Sequence, residues 1–216
     1  MDNRLPRAAI DFIINLTGAA AVKIQQYSAE IRDDRKFHDG LEEKRNYYGR
    51  RDSNWFYGIG QTPGTVLYVI CRKKRPDNVL ETGVASGISS AHILGALEAN
   101  QHGQLYSIDL NAWQKIPSGW MIPDYLRHRW RLIQGTSSET MAPLLKKVRE
   151  IDIFFHDSDH SYENMRREFE TAWEHLKIGG LLLSHNIDYS DAFADFCRDH
   201  EVKGLTLGNM GGIVKG

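Results

Sequence analysis

Asn78-Val-Leu-Glu-Thr-Gly-Val-Ala-Ser-Gly87, followed by Ile88-Ser-Ser-Ala-His-Ile-Leu94, decides the reading of this chain. Val79 and Leu80 read as a short buried strand. Gly83 and Gly87 bracket a tight turn, and Ser89 or Ser90 is placed to cap a helix carrying Ile93 and Leu97. A strand that turns through glycines into a helix N-terminus brings backbone N–H groups close to a ligand. The spacing Glu-x-Gly-x-x-x-Gly differs from the Gly-x-Gly-x-x-Gly of dinucleotide sites, and by itself it is a weak signal.

Working outward, Gln104-Leu-Tyr-Ser-Ile-Asp-Leu110 reads as a second strand with Asp109 near its C-terminal end. An acid there is the usual grip on the two hydroxyls of a ribose. Residues 131–134 form a third strand, and Thr136-Ser-Ser-Glu139 is a capping box for a helix with the stripe Met141, Leu144, Leu145 and Val148. Ile151-Asp-Ile-Phe-Phe-His156 is a fourth strand, from whose end Asp157-Ser-Asp-His-Ser-Tyr162 emerges. The next helix places Tyr162, Met165, Phe169, Ala172, Trp173 and Leu176 on one face and stops at Lys177 and Gly179-Gly180. Residues 181–185 are a fifth strand, and residues 193–200 a short helix. Residues 202–207 and 213–215 face each other across a connection too short for a helical crossover, so they should be antiparallel.

On the N-terminal side, residues 62–64 punctuate the start of a helix with Val66, Leu67, Val69 and Ile70 on its apolar face, and Arg72-Lys-Lys-Arg75 is a solvated, dipole-matched run at its end. Residues 8–16 and 20–31 suit two helices, and residues 32–40 a charged, exposed connection. The aromatic segment 45–57 reads as an irregular layer on the main domain or a pocket wall. Residues 111–130 are too irregular for a helix and too apolar for a linker, which suits a substrate lid. The expected organisation is therefore an N-terminal helical and aromatic extension, residues 1–60, and an α/β domain, residues 61–216. Its sheet is mostly parallel with one reversed strand at the end.

Composition sets bounds. Hydrophobic residues make up 41% and charged residues 25%, as in ordinary globular chains. Lys and Arg number 27 against 28 Asp and Glu, a net charge of −1, which gives no general basic surface for nucleic acid. Cys71 and Cys197 fit free, packed thiols in a reducing compartment. No apolar run approaches a membrane span and the N-terminus lacks the apolar centre of a signal peptide, so the expected location is the cytoplasm.

Taken in order, Glu81-x-Gly83-x-x-x-Gly87, Asp109, residues 154–163 and Leu176-Lys-Ile-Gly-Gly-Leu-Leu-Leu-Ser-His-Asn186 resemble class I S-adenosylmethionine-dependent methyltransferases. The likeness covers about residues 61–216. The chain looks most like the small-molecule (sugar- and catechol-type) O-methyltransferases, and within them is nearest to the group containing sugar and macrolide-sugar enzymes, whose fourth strand ends in Asp-x-Asp-His-x-Tyr. The resemblance implies a Rossmann-like, seven-stranded, mostly parallel sheet with an antiparallel last strand, flanked by helices. It implies that Glu81, Gly83, Ala85, Ser86 and Gly87 hold the methionine portion of the cofactor, that Asp109 binds the ribose, and that Thr136, Ser137 and Ser138 lie beside the adenine. Asp157 corresponds to the first metal carboxylate, with His185 and Asn186 completing the site.

His185 stands where the family has an acid, so three readings are open: Mg²⁺ held by Asp157 and Asn186, a softer metal, or no metal. His160 falls where relatives place a catalytic base, with Asp159 beside it to orient the ring, and His156 reads as structural. The function expected is methyl transfer to a hydroxyl of a small acceptor, with His160 and Asp157 catalytic and a homodimer through the N-terminal helices. An NAD-dependent oxidoreductase, or a non-catalytic cofactor-binding protein of the same fold, are the alternatives.

Overall fold

The computed structural model describes residues 5–48, 59–110 and 116–216. Seven strands, β1 (Asn78–Thr82), β2 (Gln104–Asp109), β3 (Trp130–Gln134), β4 (Ile151–His156), β5 (Leu176–Ser184), β6 (Leu205–Leu207) and β7 (Met210–Val214), form one sheet in the order β3-β2-β1-β4-β5-β7-β6. Only β7 runs against its neighbours. The hairpin β6–β7 turns within Gly208 and Asn209, tighter than the connection expected from the sequence, because the left-handed backbone at Gly208 matches strand twist.

Strand alternation splits the apolar residues between two layers. Val79, Leu105, Ile153, Phe155, Leu181 and Leu183 face one side, against α1 (Arg7–Thr17), α2 (Ala21–Asp33), α4 (Gln61–Lys74) and α5 (Ile88–Asn100). Leu80, Ile108, Phe154, Leu182 and Ile213 face the other, against α6 (Ser137–Val148), α7 (Tyr162–His175) and α8 (Ala192–Asp199). The stripe read on α7 is buried at Met165, Phe169 and Ala172. The first helices share the sheet's core: Phe12 and Leu16 lie against the backbone of Gly212 on β7, and the Tyr68 hydroxyl and Arg72 of α4 bond Glu30 of α2.

Three expectations are corrected. Residues 32–40 are largely exposed, as expected, but helical rather than a connection; the Asp34 carboxylate accepts from Phe37 N (3.0 Å) and starts α3 (Arg35–Tyr48), on which Phe37 is fully buried. The cationic run ending α4 is largely tied down rather than solvated, with Arg72 on Glu30, Lys74 on the Gly179 carbonyl (2.7 Å) and Arg75 on the Asn100 carbonyl (3.1 Å). β5 begins at Leu176, directly after α7, with no glycine stop between them. Residues 49–57 of the aromatic segment lie outside the described residues, as do 111–115 of the expected lid. Among the described residues no single helix is long and apolar enough to cross a membrane.

Candidate functional site

In an open parallel sheet, ligands bind beyond the C-terminal ends of the strands where strand order reverses. Here that point lies between β1 and β4. The two chain ends emerging there are in contact: Asp157 N donates to the Thr82 carbonyl (2.8 Å), and a Cβ on Gly83 would sit 2.1 Å from the Asp157 carbonyl oxygen. Gly83 also has a φ of +80°, so both space and conformation demand glycine.

A cavity of about 740 Å³ opens at this point. Of the residues expected at the cofactor site, Gly83, Ala85, Asp109, Thr136, Ser137, Ser138 and Asp157 line it, and His185 and Asn186 join them. Asp109 Oδ2 accepts from Val84 N (2.7 Å) and Ala85 N (3.1 Å), and Oδ1 from the Ser118 hydroxyl (2.6 Å). The acid at the end of β2 thus fixes the glycine turn, and a ribose would have to share its oxygens. Thr136 caps α6, accepting from Glu139 N (3.2 Å).

Glu81, Ser86 and Gly87 do not line the cavity. Glu81 points into the core, fully buried, and takes hydrogen bonds from the Ser89, Ser90 and Ser107 hydroxyls at 2.6–2.7 Å. Burial pushes its carboxyl up to about 7, against the pull of those three donors. The serines expected to cap α5 are therefore spent on Glu81, and Gly87 occupies the cap position without a side-chain bond. The described part of the expected lid does not line the cavity either. Gly119 N and Met121 N bond the Ala85 and Ser86 carbonyls, pinning residues 116–123 to the outside of the turn.

At the ends of β4 and β5, His185 Nδ1 lies 3.0 Å from Asp157 Oδ1, so the two side chains satisfy each other. Asn186 follows with a left-handed φ of +53°. Carboxylate, imidazole and amide do not make the all-oxygen donor set that Mg²⁺ demands, and the Asp157 oxygen is already engaged. Among the described residues no group of three or more His, Cys, Asp and Glu side chains converges as a metal site. The residues present do not fit Mg²⁺.

His160 is not on the cavity wall, although Asp159 and Ser161 on either side of it are. Its Nδ1 lies 3.3 Å from Nε2 of the buried His156, and its ring leans on Tyr189. Asp159 does not orient it; that carboxylate accepts from Ser161 N and Oγ. Burial and the facing His156 hold His160 below the ordinary histidine range, against the raising pull of Asp157.

Glu168 was missed, as were the cavity-lining Ser158, Asn164 and Arg167. Glu168 of α7 is buried, its Oε2 2.7 Å from His156 Nδ1 and accepting from Thr82 Oγ1, its Oε1 accepting from the Ser158 hydroxyl (2.8 Å). Burial alone would raise this carboxyl, but the hydrogen bonds from His156 and Thr82 hold it below the usual range. The available signal was an acid between Met165 and Phe169 on an apolar stripe, where acids are rare unless paired.

The family model of a methyltransferase domain matches residues 80–187, half of the chain, from β1 to just past β5. The chain belongs to the methyltransferase-domain family. No curated protein matches it in sequence. Among solved structures, this methyltransferase-family chain is similar to the O-methyltransferase from Bacillus cereus in complex with SAH, with a TM-score of 0.63 and 18% identity over 82% of this chain and 91% of that one. It is similar to the O-methyltransferase TomG from Streptomyces achromogenes, involved in tomaymycin synthesis and solved with SAM: TM-score 0.61, 16% identity, 85% and 91% covered. The MycE methyltransferase of the mycinamycin pathway, solved with Mg, SAH and mycinamycin VI, gives a TM-score of 0.57 at 17% identity over 82% of this chain and 54% of that one. At these identities the likeness establishes the fold.

Proposed function

We propose that this protein transfers a methyl group from S-adenosylmethionine to a hydroxyl of a small-molecule acceptor. One observation carries the proposal: a single cavity at the β1/β4 switch point brings together the glycine turn held by Asp109, the Thr136–Ser138 helix start and the Asp157/His185 pair. Its volume of about 740 Å³ lies within the range of small-molecule and cofactor sites, ~300–1,000 Å³. Similarity to O-methyltransferases solved with SAH or SAM supports the cofactor.

Bound S-adenosylmethionine supplies a sulfonium methyl: its S–CH₃ bond breaks as the O–CH₃ bond forms, and the bonding pair stays on sulfur. The turn after β1, held in shape by Asp109 and lining the cavity at Gly83, Val84 and Ala85, forms the wall against which such a ligand lies. His160 stands just off the cavity wall, between Asp159 and Ser161, which line it; neutral near pH 7 by its environment, it receives on Nε2 the hydroxyl proton of an acceptor that reaches past that wall. The Asp157/His185 pair holds the acceptor oxygen beside it. A second reading has its own observation: His185 lines the cavity with its ring fixed by Asp157, and takes the proton itself.

Calorimetric titration with S-adenosylhomocysteine, with NAD as control, tests the cofactor. Micromolar binding with NAD silent is expected; silence from both would end the enzyme reading. Once an acceptor is found, His160→Ala should lower kcat by about 10²-fold or more. Full turnover in that variant with loss in His185→Ala would transfer the role to His185.

A further inference from the structure

Behind the strand ends lies a line of side chains of which the reaction above uses only the outermost, His160. Glu168, His156 and His160 form a continuous line: Glu168 Oε2 to His156 Nδ1 at 2.7 Å, then His156 Nε2 to His160 Nδ1 at 3.3 Å. Its inner two members are shut off from solvent. An ionised carboxylate can only accept, so His156 donates from Nδ1; with one proton on that ring, its Nε2 is a bare acceptor. His160 then meets that acceptor with Nδ1–H. The other carboxylate oxygen is held by Ser158 and Asn164, and Thr82 adds a donor on the His156 side, so Glu168 has no freedom to turn. Besides His156, the charged or titratable groups acting on His160 are Asp157, Asp159 and His185.

We propose that Glu168 and His156 are positioning residues: they hold the His160 ring with its proton on Nδ1 and leave Nε2 as the accepting nitrogen. The inference rests on the methyl-transfer reading, in which His160 takes the acceptor's proton. It differs from an ordinary core pair in what it controls. An imidazole in the opposite tautomer presents N–H to the acceptor and is no base.

The experiment is a long-range ¹H–¹⁵N correlation spectrum of the histidine-labelled full chain at neutral pH, with His160 assigned by loss of its signals in His160→Ala. The expected spectrum has His160 protonated at Nδ1 and bare at Nε2. In His156→Phe the tautomer should become mixed and kcat fall by about 10-fold or more, with KM and S-adenosylhomocysteine affinity unchanged. His156→Gln, which keeps an acceptor oxygen near the place of Nε2, should restore both. Glu168→Gln provides a second variant should His156→Phe fail to fold, and it should weaken the tautomer preference. Wild-type His160 protonated at Nε2, or an unaltered tautomer in a folded His156→Phe or Glu168→Gln, would overturn the proposal. The spectrum reads the tautomer whether or not an acceptor is known. A correct tautomer in a protein that methylates nothing would therefore sink the methyl-transfer reading alone.

Discussion

Replacing Glu81 by glutamine separates two opposed titrations in the core. The folded-state carboxyl is raised from 4.5 to about 7 by burial, so the native protein holds its proton more tightly than the unfolded chain. Stability is then lost as pH rises through that window, by about 3 kcal/mol at ~1.4 kcal/mol per pH unit. The wild type alone would hide this. His92, also buried, is lowered from 6.5 to about 4 by burial, against a hydrogen bond to the Ile88 carbonyl. Its contribution has the opposite sign: present above pH 6.5 and lost as pH falls toward 4. Over the shared window the two slopes nearly cancel. Subtracting Glu81→Gln from wild type removes the His92 effect and leaves that of Glu81. Urea unfolding at pH 4 and pH 8 should show the wild type losing about 3 kcal/mol relative to the variant, a midpoint shift of about 1 M at a slope of ~3 kcal/mol per M. An equal difference at both pH values would refute the reasoning. The three serine hydroxyls would then outweigh desolvation and keep Glu81 ionised throughout.

Asp109→Ala frees the Val84 and Ala85 N–H groups from their shared carboxylate oxygen; S-adenosylhomocysteine affinity measured by calorimetry should weaken about 10- to 100-fold. Gly83→Ala drives a Cβ into the Asp157 carbonyl at a positive φ, and soluble expression or the melting transition should be lost. Asp34→Ala removes the side-chain cap of α3 and should cost about 1 kcal/mol, a fall of ~2–4 °C in Tm by calorimetric scan.

The sheet was legible because buried parallel strands are written as short apolar runs, such as Ile-Phe-Phe on β4 and Leu-Leu-Leu on β5, each closed by its turn. The reversed last strand followed from connection length alone. The order of strands around the switch point does not follow from any local pattern; it entered through the family resemblance. At the site, spacing located the residues but not the direction of their side chains. Glu81 belongs to the glycine motif, yet β1 alternation turns it inward to Ser89, Ser90 and Ser107. His160 and His185 were both marked by their strand ends; which of them the cavity wall includes depends on side-chain packing that spacing does not encode. α3 escaped notice because its charged residues outnumber its one buried aromatic, Phe37, and a single capping aspartate sufficed to start it.

The seat of α1 on the last strand has a consequence for how the protein is made. Phe12 and Leu16 rest on Gly212, whose missing side chain leaves room for them. At ~5–20 residues per second, roughly 10–40 s separate the synthesis of one side of this contact from the other. Throughout that interval the apolar face of α1 has no β7 to cover it. The nascent chain must keep that face shielded, by its own α2 and α4 or by a chaperone, until the last strand slots in between β5 and β6.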